Sequence, residues 1–284
     1  MKILYNESLK KYTTVRIGGT ASKLYIPQTE EELTTLLDSI DSKEYYIIGG
    51  GSNLLINDEK IFENVISMKE FNKSIENKGE GIYYIGASNK LQKIINKINE
   101  DGFGGIEYLY SVPGLIGGAV AMNAGRGKPH GVSISDYILD VTVYINGEIK
   151  TIKKEQCRFG YRNSIFRENP NYIILGCTFK FEYKSKEESE QLKNARIQLC
   201  KDVQDKSGYN FGSVFKINDW KVMWLVRKIS IANKNGIHFS KKTPNWIINK
   251  GEGTFRQATK LIKRVEIIHK MIGKKAIPEV IIWE

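Results

Sequence analysis

The sequence predicts a mixed α+β protein built from two or three compact lobes, and three observations carry that expectation. A chain of 284 residues is too long for one small core. A unit of strand, glycine-rich loop and apolar segment occurs twice, beginning at Tyr45 and again at Ile82. A hairpin and a further strand then give way near Ser185 to a helix rich in lysine and glutamate, where the glycine-rich pattern stops.

From the N-terminus, residues 12–28 alternate and end at Pro27, which predicts an extended run. Thr29-Glu30-Glu31-Glu32 reads as a capping box for a helix with Leu33, Leu36, Leu37 and Ile40 on one face. Tyr45–Ile48 is a buried strand that runs into Gly49-Gly50-Gly51-Ser52-Asn53. The second cycle is the strand Ile82–Ile85, the loop Gly86–Asn89 and a helix carrying Leu91, Ile94, Ile95 and Ile98 that stops near Gly102. Residues 111–127 form a second glycine-rich tract with five glycines. Leu139–Ile145 and Glu148–Ile152 flank Asn146-Gly147, a strong hairpin signal, and Asn171–Phe181 is another strand. A charged helix spans about Ser185 to Val203. The C-terminal part holds one amphipathic helix, capped near Thr254, with Ala258, Leu261, Ile262, Val265, Ile268 and Ile272 inward and Gly273 as its stop.

Composition narrows the function classes. Hydrophobic residues make up 41% and charged residues 26%, as in soluble globular proteins. No apolar run approaches the roughly 20 residues that span a bilayer, and Met1–Glu7 lacks the apolar core of a signal peptide, so a cytoplasmic protein without a membrane partner is expected. Three cysteines (Cys157, Cys177, Cys200) without CxxC spacing suit a reducing compartment and argue against a disulfide framework or a zinc site. Three scattered histidines argue against a histidine-rich metal centre, and no metal is expected. The formal charge of +11 calls for an anionic partner. No helix-turn-helix, zinc-finger or aromatic RNA-binding signature is present, so a phosphorylated small molecule is expected rather than nucleic acid.

The glycine tracts suit such a ligand. Glycine lets a backbone approach a ligand closely, and successive free N–H groups can cradle phosphate oxygens. Two tracts, each after a strand, suit a pyrophosphate, although neither has the spacing of a GxGxxG turn or a GxxxxGK[ST] loop. Tight turns are the alternative reading for either tract alone. Ser52, Asn53 and Asn123 add side-chain hydrogen bonds to these backbones.

Six blocks in order carry a family resemblance: Tyr12–Gly19, Ile48–Leu55, Val112–Ala119 with Met122–Gly125, Phe159–Ser164, Gly212–Lys216 and Pro278–Val280. Over nearly the whole chain they resemble the motifs of the UDP-N-acetylenolpyruvoylglucosamine reductases, MurB, in the shorter class of that family. The resemblance implies a two-lobed FAD-binding fold of the vanillyl-alcohol-oxidase/MurB type followed by an α/β substrate-binding domain. Residues 1–70 would form the first lobe, with 276–284 returning near the active site, 71–185 the second lobe, and 186–275 the substrate-binding domain. It implies noncovalent FAD, NADPH as hydride donor, a nucleotide-sugar substrate and a monomer or weak oligomer. His130 is read as a loop histidine rather than a covalent flavin link.

The resemblance also distributes roles. Arg16, Gly49, Gly50, Gly51, Ser52, Asn53, Gly114, Gly117, Gly118, Asn123 and Gly125 would face the flavin. Arg162 would stabilise the enediolate formed when an enolpyruvyl ether accepts hydride, Ser213 would protonate it, and Glu279, with a raised pKa if buried, would bond its oxygens. Tyr161, Lys216 and Asn245 would contact substrate.

The likeness falters in the third part. Ile217-Asn218 stands where the family usually continues Asn-Pro, Lys221–Arg227 and Ile231–Gly236 replace other family stretches, and Thr243-Pro244-Asn245-Trp246 replaces His-Ala-Asn-Phe. Three readings therefore stand: the peptidoglycan enzyme, a paralogue reducing another nucleotide-linked enolpyruvyl sugar for capsule or O-antigen, and a non-catalytic flavin-binding protein.

Overall fold

The computed structural model describes residues 1–40, 44–125, 131–229 and 236–284. His130 and most of the Ile231–Gly236 stretch lie outside the described residues. The chain divides into two compact units, one of residues 1–4, 23–49 and 63–200, the other of 5–22, 50–62 and 201–284.

The first unit is built on a five-stranded antiparallel sheet. Its order is Glu148–Lys153, Ile138–Ile145, Ile173–Lys180, Ile82–Gly86 and Ile75–Asn77. Ile173–Lys180 lies in the middle and is buried at every position except its last, as expected of an apolar run with neighbours on both edges. The Asn146-Gly147 hairpin forms, with φ of 51° and 87°, the left-handed pair a two-residue turn of this hand requires. Helix Leu91–Glu100 buries Leu91, Ile94, Ile95 and Ile98 in the same core as Val141, Cys177 and Phe179. A second core in this unit gathers Leu33 and Leu36 of helix Glu30–Ser39 with Ile66, Phe71 and Leu175. Tyr46–Ile48 pairs parallel to Val65–Ser67 and delivers the chain to Gly49.

In the second unit Val15, Leu55, Val214, Phe215, Met223, Ile247 and Ile262 meet in a core. Helices Trp220–Ile229 and Phe255–Met271 pack on each other. The unit's short ladders include Ile237–Phe239 with Ile247–Asn249, Phe215–Ile217 with Ile277–Pro278, and the C-terminal strand Ile281–Trp283 parallel to Leu54–Ile56. Among the described residues no helix is long and apolar enough to cross a membrane.

Three local expectations are corrected. Only Thr20–Ile26 of the alternating run 12–28 is a strand; Leu9–Tyr12 is a short 3-10 helix, and Arg16 takes a φ of 58° that no strand tolerates. Thr29 does cap its helix by accepting from the Glu32 amide at 3.1 Å, but the Glu32 carboxylate reaches past it to the Gln28 amide at 2.8 Å and to the N-terminal amine. On the last helix Ile272 is 50% exposed, because the helix ends at Met271 and position 272 leaves its inward face. His269 is buried there instead: its Nε2 accepts from the Asp219 amide at 2.9 Å and its Nδ1 lies 2.8 Å from the Val265 carbonyl, to which it can donate.

Candidate active site

In the first unit the second glycine tract and the Arg162 block are tied together. Asn123 has a φ of 42° and donates from Nδ2 to the Gly160 carbonyl at 2.9 Å, while its Oδ1 accepts from the Ser135 amide at 3.3 Å. Arg162 donates from Nη2 to the Gly125 carbonyl at 2.7 Å. Two residues on, the Ser164 hydroxyl donates to the Ala121 carbonyl at 2.6 Å. The turn that presents the guanidinium is closed by reciprocal backbone bonds between Gly160 and Asn163 at 3.0 and 3.2 Å. Arg162 takes a φ of 53°, an uncommon conformation for a side-chain-bearing residue and one that clusters at functional sites. Its guanidinium lies 5.7 Å from the ring centre of Tyr161, which is 57% exposed.

The glycines of the tract do different work. The Gly117 amide donates to the Ala87 carbonyl at 2.9 Å, and the Gly114 carbonyl accepts from the Leu91 amide at 3.2 Å, so both bind the tract to the protein. Among the described residues a Cβ added at Gly118 would meet no atom within 4 Å, and one at Gly49 would meet only Leu115 Cδ1 at 3.9 Å. Protein packing gives no reason for glycine at either position. Open space over backbone in two glycine tracts is what a bound pyrophosphate needs, so these residues fit FAD.

In the second unit the segment from Ser213 into the strand Phe215–Ile217 is bracketed by the C-terminal segment. The Glu279 amide donates to the Val214 carbonyl at 2.7 Å, and Phe215 pairs with Pro278. Ser213 itself pairs with Trp246 on its other side. Asn53 joins this group: its Nδ2 donates to the Glu279 carbonyl at 3.2 Å, and its own carbonyl accepts from the Ile281 amide at 3.0 Å. Gly51 accepts from the Thr14 amide at 3.0 Å, and the Thr14 hydroxyl donates to the Asn210 carbonyl at 2.7 Å, just before Gly212 and Ser213. Arg16, exposed, lies 5.7 Å from the ring centre of Tyr209. Ser52, Lys216 and Glu279 are half-buried. Thus Gly51, Ser52, Asn53, Ser213 and Glu279 belong to one hydrogen-bonded cluster of segments.

Asn245 is tied to the backbone of Phe215. Its Oδ1 accepts from the Phe215 amide at 3.0 Å and its Nδ2 donates to the Phe215 carbonyl at 2.8 Å. The amide therefore braces Phe215, between Ser213 and Lys216. Sequence reasoning missed Tyr108. Its hydroxyl is buried with no hydrogen-bond partner among the described residues. Burial pushes the phenol up, Tyr137 and Asp136 add to this, and the Arg162 charge opposes them, so a neutral donor lies within the field of Arg162. Nothing in its spacing marks it. A polar cavity of about 510 Å³ lined by Asn72, Tyr84, Asp140 and Thr142, among others, contains none of the expected site residues.

Comparison with known proteins gives these observations a class. Residues 21–153 match the FAD binding domain family, which makes this an FAD-binding α+β protein. Reductases named UDP-N-acetylenolpyruvoylglucosamine reductase align along nearly the full chain. The one from Petrotoga mobilis is 32% identical over 94% of this chain and 90% of its own, and that from Carboxydothermus hydrogenoformans is 32% identical over 98% and 93%. The crystal structure of the Thermus caldophilus UDP-N-acetylenolpyruvylglucosamine reductase (MurB) superposes with a TM-score of 0.80, covering 100% of this chain and 98% of that one at 26% identity. The chain belongs to the UDP-N-acetylenolpyruvoylglucosamine reductase family.

Proposed function

We propose that this chain is an FAD-dependent oxidoreductase of the cytoplasm that consumes NADPH to reduce UDP-N-acetylglucosamine enolpyruvate to UDP-N-acetylmuramate, a peptidoglycan precursor. The observation that carries the reading is the 2.7 Å bond from the Glu279 amide to the Val214 carbonyl, which sets a carboxyl-bearing residue beside the segment of Ser213. A hydroxyl and a carboxyl on paired segments suit a reaction that must protonate a carbon and stabilise the oxygens next to it.

FAD, held over the glycine tracts at Gly49 and Gly118, would supply the hydride that the terminal carbon of the substrate's double bond accepts, with NADPH as its source. Negative charge then moves to the neighbouring carbon and the carboxylate oxygens. The guanidinium of Arg162 holds those oxygens by charge-assisted hydrogen bonds. Ser213 gives its hydroxyl proton to the neighbouring carbon and regains one from water. Serine is a weak acid, but a carbanion-like enolate is a strong enough base to take the proton from a well-placed hydroxyl. Glu279 bonds the enediol oxygens through its carboxyl group. Asn245 fixes Phe215, two residues from the serine, and Tyr161 and Lys216 contact the nucleotide sugar. The double bond gains one hydride and one proton in all.

The purified protein, supplied with FAD, NADPH and UDP-N-acetylglucosamine enolpyruvate, should yield a product heavier by two hydrogens in mass spectrometry. An unchanged substrate mass contradicts the assignment. Ile217, 46% exposed directly after Lys216, favours a second reading, in which the same chemistry acts on another nucleotide-linked enolpyruvyl sugar. In that case a different enolpyruvyl nucleotide sugar gains the two hydrogens and the N-acetylglucosamine compound does not.

A further inference from the structure

Helix Trp220–Ile229 has an unusual outer face. Val222, Met223 and Val226 point into the core, while Trp220, Trp224, Leu225 and Ile229 are 71%, 43%, 48% and 54% exposed. The face opposite the core is thus apolar where a surface helix carries polar groups. It does not stand alone. The Asp219 amide donates to His269 Nε2 at 2.9 Å, and the Asp219 carboxylate pairs with Lys274, which brings Trp220 to the end of the unit that carries Met271 and Ile272. Those two are 78% and 50% exposed.

The surround is cationic. Residues 217–229 and 267–275 hold six lysines and arginines against one carboxylate, Asp219, which is paired with one of them, Lys274. Lys228 Nζ lies 3.7 Å from the ring centre of Trp224 and Lys221 Nζ 5.8 Å from that of Trp220, so ammonium groups stand over the exposed indoles.

We propose that this face docks on an anionic lipid surface, with the two indoles at the headgroup level and the lysines on lipid phosphates. Tryptophan beside lysine is the composition of membrane-interface helices, and basic clusters are drawn to anionic leaflets. Protein interfaces, by contrast, enrich tryptophan but deplete lysine. Two copies meeting through this face would bring like charges together. With no spanning helix among the described residues, the attachment is peripheral.

The test is sedimentation of the purified, FAD-supplied protein with vesicles of phosphatidylglycerol and phosphatidylcholine, and with vesicles of phosphatidylcholine alone. Binding to the anionic vesicles only, weakened by added salt and accompanied by a blue shift of tryptophan emission, is the expected result. The pairs Trp220→Ser with Trp224→Ser, and Lys221→Glu with Lys228→Glu, should each weaken it at least tenfold. Both pairs should keep the wild-type melting temperature and rate of flavin reduction, since all four side chains are exposed. Equal binding to neutral vesicles, no binding to either kind, or wild-type affinity in the tryptophan pair overturns the proposal. So does a concentration-dependent dimer that the tryptophan pair abolishes, which would make a second copy the occupant.

Discussion

Arg162 is held by its Gly125 hydrogen bond and by a left-handed backbone, and such a conformation persists only when its surroundings over-determine it. Arg162→Lys keeps the charge but loses the planar fork, so substrate-dependent reoxidation of the flavin should fall about 100-fold or more, while NADPH-dependent reduction is spared. Rapid-mixing kinetics of the two half-reactions reads this directly. The type and position of Arg162 were legible in the sequence through its block, but its positive φ was not, because it follows from contacts with a tract some forty residues away. The two bonds from the Asn245 side chain to the Phe215 backbone show the same limit, since partners thirty residues apart leave no local signal. Asp205 was invisible for another reason, since an isolated aspartate has no sequence signature. Burial pushes its carboxyl up, but the Ser207 hydroxyl and amide and the Ser240 hydroxyl outweigh burial and hold it at about 2. Its folded value lies below the ordinary carboxylate value, so its contribution to stability is present above pH ~4 and is lost as the pH falls towards 2. Asp205→Asn should therefore lower the unfolding free energy by roughly 2 kcal/mol at neutral pH and by much less near the folded pKa, measured by denaturant titration at the two pH values.

Among the elements, the glycine tracts separate structural from ligand-facing roles. A Cβ at Gly51 would lie 1.9 Å from the Tyr12 carbonyl oxygen, at a φ of 61°, so Gly51→Ala should destabilise the protein itself by more than about 1 kcal/mol. Gly118 faces open space on the helix Ile116–Ala121. Gly118→Ala should leave the flavin-free protein as stable or up to about 1 kcal/mol more stable, through the better helix propensity of alanine, yet weaken FAD binding at least tenfold. Melting curves and flavin titration check both variants. Unaltered FAD affinity in Gly118→Ala would remove that residue from the cradle. Periodic helices and the Asn146-Gly147 hairpin were legible because their signals are local. The run 12–28 was not, because alternation cannot register the turn at Arg16, which is set by a hydrogen bond from the Arg16 amide to the Thr13 carbonyl at 3.3 Å.

For the whole molecule, the sequence conveyed the α+β class and the order of motifs, but not how the chain is shared out. Each of the two units draws on separate stretches of chain, and the C-terminal strand pairs with residues 54–56, more than two hundred positions earlier. Such pairings leave no periodic trace. The charge of +11 was legible as a call for anions and fits a nucleotide sugar, with the cationic face of Trp220–Ile229 adding a further site of the same sign. The family match and the clusters around Arg162 and Ser213 together define one claim, that a bound flavin passes two electrons to an enolpyruvyl ether while Ser213 supplies the proton. Anaerobic stopped-flow absorbance on the wild type and Ser213→Ala tests it most directly. NADPH should bleach the flavin at the same rate in both, and UDP-N-acetylglucosamine enolpyruvate should restore the colour rapidly in the wild type and at least about 100-fold more slowly in the variant. A protein that takes up no FAD, or equal reoxidation rates in the two proteins, would contradict the account.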